Sequence, residues 1–248
     1  MKNFDAAILD LDGTLVDTLD DFVAALRAML QDLPSPYCHF ELDRTTVEPL
    51  VGKGSENLIK SLFALMDSAQ TAIKNGANSN GAAGRMEGVN EATELLATAN
   101  QRYQAHYREV NGRHSALYPG ALAGVQQLHA LGLPLACVTN KPTAFAQDLL
   151  AQKGLAGYFS LVLGGDAVAR KKPDPLPLLM ACQHLGTEPA RTWMVGDSSN
   201  DAQAARAAGC PVLLVSYGYN HGQPVREVDA DAFTDSLATV AWEQLAPL

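Results

Sequence analysis

Two aspartates separated by one residue and followed at once by glycine and threonine stand near the start of the chain, in Asp10-Leu11-Asp12-Gly13-Thr14. Three more polar clusters follow in order: Val138-Thr139-Asn140-Lys141, Lys171-Lys172-Pro173-Asp174-Pro175, and Gly196-Asp197-Ser198-Ser199-Asn200-Asp201. Together they supply carboxylates, lysine, a hydroxyl and glycine-permitted turns. Carboxylate oxygens bind a hard cation such as Mg²⁺. Such a cation neutralises a phosphate dianion that would otherwise repel a carboxylate nucleophile. The carboxylate can then attack phosphorus and form an acyl phosphate, which divides one difficult displacement into two easier ones. A neighbouring Asp can protonate the leaving oxygen and later accept a proton from water. Lysine, hydroxyl and backbone N–H groups can hold the non-bridging oxygens.

These clusters need a scaffold that brings them to one place. The run Ala6-Ala7-Ile8-Leu9 before Asp10 is continuously apolar, as in a strand buried on both faces. A helix is expected from about Thr18, with Thr18 as its cap, Asp21 in a capping-box position, and Phe22, Ala25, Leu26, Met29 and Leu30 on one face. Residues 35–114 read as helix only. Ser55 opens one helix and Asn90 another, and the Ala-, Asn-, Gly- and Ser-rich stretch 67–88 between them reads as a mobile insertion. From Pro119 the pattern alternates: a helix ending at Gly132, strand 135–138, helix 142–153, strand 161–163, helix 176–185, strand 192–195, a helix ending at Gly209 and strand 212–216. Repeated strand–helix units imply a parallel sheet with helices on both faces. The expected architecture is α/β: a Rossmann-like parallel-sheet core, residues 1–17 and 115–248, with an all-helical cap inserted at 18–114. Each polar cluster then follows a strand or precedes a helix at the carboxyl edge of the sheet, where ligands of such folds bind.

Composition narrows the function. With 248 residues and 47% hydrophobic content the chain can bury a sizeable core and a smaller second module. Its formal net charge of −9 argues against a nucleic-acid groove or an anionic membrane as partner. Cys38, Cys137, Cys182 and Cys210 form no CxxC pair and read as free thiols of a reducing compartment. The N-terminal residues enter a strand-like run with no apolar signal core, so a cytoplasmic location is expected.

DLDGTLVDT, VTNKP, KKPDP and GDSSND, in that order, resemble the four motifs of the haloacid dehalogenase-type hydrolase superfamily. LYPGALAGVQQLHALG and VSYGYNHG look like its bacterial phosphoglycolate phosphatase branch. The resemblance implies that Asp10 is the nucleophile and Asp12 the acid/base, with Asp12 also lending a backbone carbonyl to Mg²⁺. It implies that Thr139 and the N–H of Asn140 hold the phosphoryl group. Lys172 matches the motif lysine, with Lys171 as the register-shifted competitor. Asp197 becomes a metal ligand, and Asp201 a group behind it. In the cap, Val51-Gly52-Lys53-Gly54 resembles a substrate-facing loop, which makes Gly52 and Lys53 substrate-binding candidates. The implied activity is Mg²⁺-dependent hydrolysis of a small phosphorylated metabolite, with 2-phosphoglycolate the lead. A pyrophosphatase or phosphosugar mutase of the same superfamily is the first alternative, and a non-catalytic phospho-ligand-binding module the second.

Several residues carry plainer readings. Asp17 and Thr18 read as turn and cap residues. Asp201 can simply complement a helix dipole, and Lys53 can be a solvated lysine beside a helix start. The histidines show no paired metal spacing, and His221 reads as a surface-loop residue. Trp193 reads as core. Gly52-Lys53-Gly54-Ser55 lacks the upstream glycine of a Walker phosphate loop.

Overall fold

A computed structural model describes residues 4–76 and 87–245, without the side chains of residues 69–76 and 87–92. Its main sheet has the strands β1 (Ala6–Leu9), β4 (Leu135–Val138), β5 (Leu161–Leu163), β6 (Thr192–Gly196), β7 (Val212–Val215) and β8 (Ala232–Thr234). They lie in the order β5-β4-β1-β6-β7-β8, and every neighbouring pair is parallel. Strand side chains alternate between faces. Ala7 and Leu9 therefore enter one core with Leu135, Cys137, Trp193 and Val195, under the helices α5 (Ala121–Ala130) and α6 (Thr143–Gln152). Ile8 enters the opposite core with Ala136, Val138 and Met194, under α7 (Leu176–Leu185) and α8 (Ser199–Ala208). Both faces are covered, which is why the central strands read as unbroken apolar runs. The short edge strand β8 was not expected from its sequence: all three of its residues are only half-buried, so little apolar signal marks it.

The helices α1 (Leu19–Gln31), α2 (Arg44–Val47), α3 (Ser55–Gly76) and α4 (Glu87–Val110) form a separate module around a third core. Leu26, Met29, Leu62, Met66, Ala99 and Tyr103 lie at its centre, and Phe145 and Tyr219 of the α/β part close its underside. The chain leaves the sheet through β2 (Val16–Asp17) and returns through β3 (Ala116–Leu117). These two pair antiparallel, Val16 with Leu117 and Asp17 with Ala116, so both connections are tied together.

Three expectations need correction. α4 begins at Glu87, ahead of Asn90, which was expected to open it, and α3 runs on to Gly76, into the stretch 67–88 that reads as a mobile insertion. Alanine, glutamine and lysine extend a helix by intrinsic propensity without large apolar groups to bury; residues 77–86 lie outside the described residues. Thr18 precedes α1 but its side chain makes no capping bond. Asp21 is no capping-box member either. It is fully buried, and its carboxylate accepts from the backbone N–H groups of Gly112 and His114 at 2.8 Å each. No helix among the described residues is long and apolar enough to cross a membrane.

Candidate active site

β1 lies between β4 and β6, so the chain crosses over in opposite directions on its two sides. That reversal opens a crevice at the carboxyl ends of these strands. Asp10 is the first residue past β1, and its backbone N–H donates to Val195 O at 2.9 Å. The chain then folds back in a tight loop: Gly13 N donates to Val16 O, and Leu15 N and Val16 N donate to Leu11 O. Gly13 has φ +85°, and a Cβ there would lie 2.2 Å from Asp197 Oδ2. Only glycine combines this conformation with such a close approach.

Three carboxylates, that of Asp10 included, converge just past β1. One oxygen each from Asp10, Asp197 and Asp201 lie within 4.8 Å of one another. Asp197 is buried; Oδ1 accepts from the Thr14 hydroxyl at 2.9 Å and Oδ2 from the Tyr219 N–H at 2.7 Å. Asp201 is committed on both oxygens. Oδ2 accepts from Asp197 N, Ser198 N and Ser198 Oγ at the start of α8, and Oδ1 accepts from Lys172 Nζ at 2.7 Å. The Lys172 ammonium also donates to Val138 O at 2.7 Å and lies 3.0 Å from Asp10 Oδ1. Burial works against the Lys172 charge, but Asp10 and Asp201 raise its pKa. Burial, helped by the charge of Asp201, pushes the Asp10 carboxyl up to about 7 against the pull of Lys172. Burial together with Asp201 and Asp10 raises Asp197 well above the carboxylate range. Despite its closeness to Lys172, Asp10 Oδ1 lacks hydrogen-bond geometry to any partner among the described residues.

Asp12 faces the other way. Its Oδ1 accepts from the Thr18 hydroxyl at 2.8 Å and from Lys141 Nζ at 2.9 Å. Lys141 also donates to the Tyr107 hydroxyl and lies 4.8 Å and 5.0 Å from the ring centres of Tyr107 and Phe22. Between these groups is a cavity of about 50 Å³. Asp10, Asp12, Thr139, Asn140 and Lys141 line it from the sheet, and Phe22, Leu58, Tyr103 and Tyr107 from the helical module. The loop before α3 seals one side: Gly52 O accepts from the amides of Asn140 at 2.9 Å and Asn200 at 3.2 Å.

Carboxylates, lysines, a hydroxyl and amide groups from all four motifs thus meet at one sheet edge. The profile of haloacid dehalogenase-like hydrolases matches residues 4–209. The chain belongs to this hydrolase family. It is 41% identical over 245 residues to a phosphoglycolate phosphatase of Thiobacillus denitrificans, covering 97% of both chains. It is also 41% identical over 232 residues to a plasmid-borne phosphoglycolate phosphatase of Cupriavidus necator, covering 94% of this chain and 89% of that one. A crystal structure described as a predicted phosphoglycolate phosphatase from Haemophilus somnus superposes with a TM-score of 0.79 at 30% identity, over 96% of both chains.

Within this haloacid dehalogenase-like site, the structure brings together Asp10, Asp12, Thr139, Asn140, Lys172, Asp197 and Asp201. Lys172, not Lys171, is the buried lysine at the carboxylates. Lys53 is placed differently: the backbone of Gly52 and Gly54 lines the cavity, but the Lys53 side chain is exposed and off its wall. His221 is not a free surface residue, since its ring bonds the Asn200 amide at 3.1 Å. Sequence reasoning assigned no role to Thr18 beyond capping, none to Tyr107, and none to Lys141. A usable signal did exist for the last two. Tyr103 and Tyr107 are four residues apart on one helical face, and Lys141 directly follows two phosphate-site candidates.

Proposed function

We propose that this protein is a Mg²⁺-dependent phosphomonoesterase that transfers the phosphoryl group of a small metabolite, 2-phosphoglycolate first among candidates, to Asp10 and then to water. The carrying observation is the pairing of two differently treated aspartates. Asp10 sits among carboxylates and Lys172, whereas Asp12 is turned toward the cavity and held by Thr18 and Lys141.

The residues suit a magnesium ion. The Asp10, Asp197 and Asp201 oxygens are all hard donors, their negative charge exceeds what Lys172 offsets, and Asp10 Oδ1 is buried without a hydrogen bond. Asp10, Asp197 and the Asp12 carbonyl would hold the ion, with Asp201 fixing Lys172 and the Asp197 loop from behind. When bound, Mg²⁺ supplies positive charge that offsets the repulsion between substrate phosphate and carboxylates. Asp10 attacks phosphorus and forms the aspartyl phosphate. Thr139 Oγ, the Asn140 N–H and Lys172 hold the non-bridging oxygens. Asp12 gives its proton to the leaving oxygen and later takes one from the attacking water. The helical module acts as a cap that closes over the phosphoryl site, excludes bulk water and shapes the leaving-group pocket.

The test is hydrolysis of a panel of phosphorylated metabolites by the full chain, with Mg²⁺ and with excess chelator. Metal-dependent release of phosphate, fastest from 2-phosphoglycolate, is expected. Full activity in chelator would remove the metal assignment, and a preference for pyrophosphate or a sugar phosphate would replace the substrate.

A further inference from the structure

Lys141 is the single cationic residue among those lining the cavity, and its side chain is only 2% exposed. An ammonium has three N–H donors. Asp12 Oδ1 and the Tyr107 hydroxyl take two of them, and no partner among the described residues is present for the third. Lys172, by contrast, donates to Val138 O and Asp201 and lies 3.0 Å from Asp10 Oδ1. Its ammonium is held among the carboxylates, not at a group beyond the phosphate.

Position decides what Lys141 can touch. The proposed function has Asp12 protonate the ester oxygen, and Lys141 Nζ lies 2.9 Å from the Asp12 carboxylate. Whatever is attached to that oxygen must therefore pass beside the Lys141 ammonium. The other side chains of the wall, Phe22, Ser55, Tyr103, Gln104, Tyr107 and Phe145 among them, offer rings, hydroxyls and an amide but no second positive charge. Inside an apolar surround an ion pair is much stronger than in water. The small volume, about 50 Å³, admits a leaving group of very few atoms.

We infer that Lys141 is the specificity-determining residue of this site, receiving a small carboxylate carried by the leaving group, in a cage formed with Tyr107 and Phe22. The inference rests on the phosphatase reading above. It places anion recognition on the sheet side of the cavity, and so not on Lys53, whose side chain is exposed. A neutral leaving group of the same shape would fit the aromatic wall yet leave the ammonium without its partner, and sites built around a polar contact reject analogues that lack it.

The experiment compares kcat/KM of the Mg²⁺-loaded full chain for 2-phosphoglycolate and for isobutyl phosphate, which has the same branching without the charge. In Lys141→Met, the preference for 2-phosphoglycolate is expected to shrink on the order of tenfold to a hundredfold, the value of a contact to a charged group. Lys53→Ala should leave the preference where it is. Lys141→Gln, one atom shorter but still a donor, serves as a second variant should Lys141→Met fold poorly. Calorimetric titration of both phosphates into Asp10→Asn, with and without the Lys141 change, should show weaker binding of 2-phosphoglycolate alone. An equal fall for both substrates would reduce Lys141 to a positioning group for Asp12 and overturn the inference, as would a shift of the preference by Lys53→Ala. Failure of the unmutated protein to hydrolyse either ester with Mg²⁺ would instead overturn the phosphatase reading.

Discussion

At Asp10, burial and the charge of Asp201 oppose ionisation, and Lys172 only partly offsets them, leaving the carboxyl near 7. A carboxyl raised above its ordinary value of 3.8 in the folded state keeps its proton where the unfolded chain has lost it. Its contribution to stability is therefore fully present below about pH 4 and declines as the pH rises to about 7. In chelator at pH 8, Asp10→Asn should accordingly unfold at higher temperature than the unmodified chain, by an amount worth up to a few kcal/mol, while turnover is abolished. The gain should vanish toward pH 4. Thermal unfolding at the two pH values measures this, and an unchanged midpoint at pH 8 would contradict it. Thr18 gives a second prediction. Its hydroxyl is one of two groups fixing Asp12, so Thr18→Val should lower kcat about tenfold to a hundredfold, as expected for losing a bond to a charged group, with KM little changed. Steady-state kinetics would expose an unaffected kcat. Asp10, Asp12, Lys172 and Asp197 could be placed at one sheet edge from the chain because each stands just past an apolar run or before a proline-marked helix, while the roles proposed for them came from the resemblance of the four motifs. Thr18 could not: a threonine before a helix satisfies a cap and a tether with the same hydroxyl, and only three-dimensional proximity to Asp12 selects between them.

Among elements, the most exacting contact is made by the start of α1. Asp21 accepts the N–H groups of Gly112 and His114, just past the end of α4. Without it the N–H groups of the buried Gly112 and of His114 would lose their partner, and each such loss in a buried setting costs about 1–3 kcal/mol. Asp21→Ala should therefore destabilise the protein by about 2–5 kcal/mol in denaturant titration. A loss below about 1 kcal/mol, the ordinary value for a surface change, would show that water replaces the carboxylate. The sequence placed Asp21 in α1 correctly yet mistook its purpose, because its partners lie 91 and 93 residues away. Local spacing carries no information about such bonds. The central parallel strands were legible for the opposite reason: burial on both faces imprints an unbroken apolar run on each. The ladder of β2 and β3 is too short, at two residues each, to leave a pattern.

For the molecule as a whole, activity should require Mg²⁺ and be inhibited by Ca²⁺. Mg²⁺ demands near-octahedral geometry at about 2.0–2.1 Å, whereas Ca²⁺ takes 6–8 oxygens and binds carboxylates bidentately, which would turn Asp10 away from phosphorus. Titration of phosphate release with each ion tests this, and full turnover in Ca²⁺ would refute it. The chain marks Lys141 only by its place after two phosphate-site candidates, since its partners come from the helical module and from a separate loop of the sheet. The ladder between Val16–Asp17 and Ala116–Leu117 has a further consequence for how the chain can be rebuilt. Cα atoms of residues facing each other in an antiparallel pair are only about 4.5–5.5 Å apart, so the two ends of the helical module meet as the ends of a hairpin do. Exchanging residues 18–115 for an Asn-Gly turn, the natural closure of such a hairpin, would leave every strand of the main sheet in its present order. The expected product is a smaller, folded α/β protein whose phosphoryl site lies open to solvent and whose choice among leaving groups is gone. In this sense the helical module is an attachment whose removal or exchange at these two residues would not alter the sheet beneath.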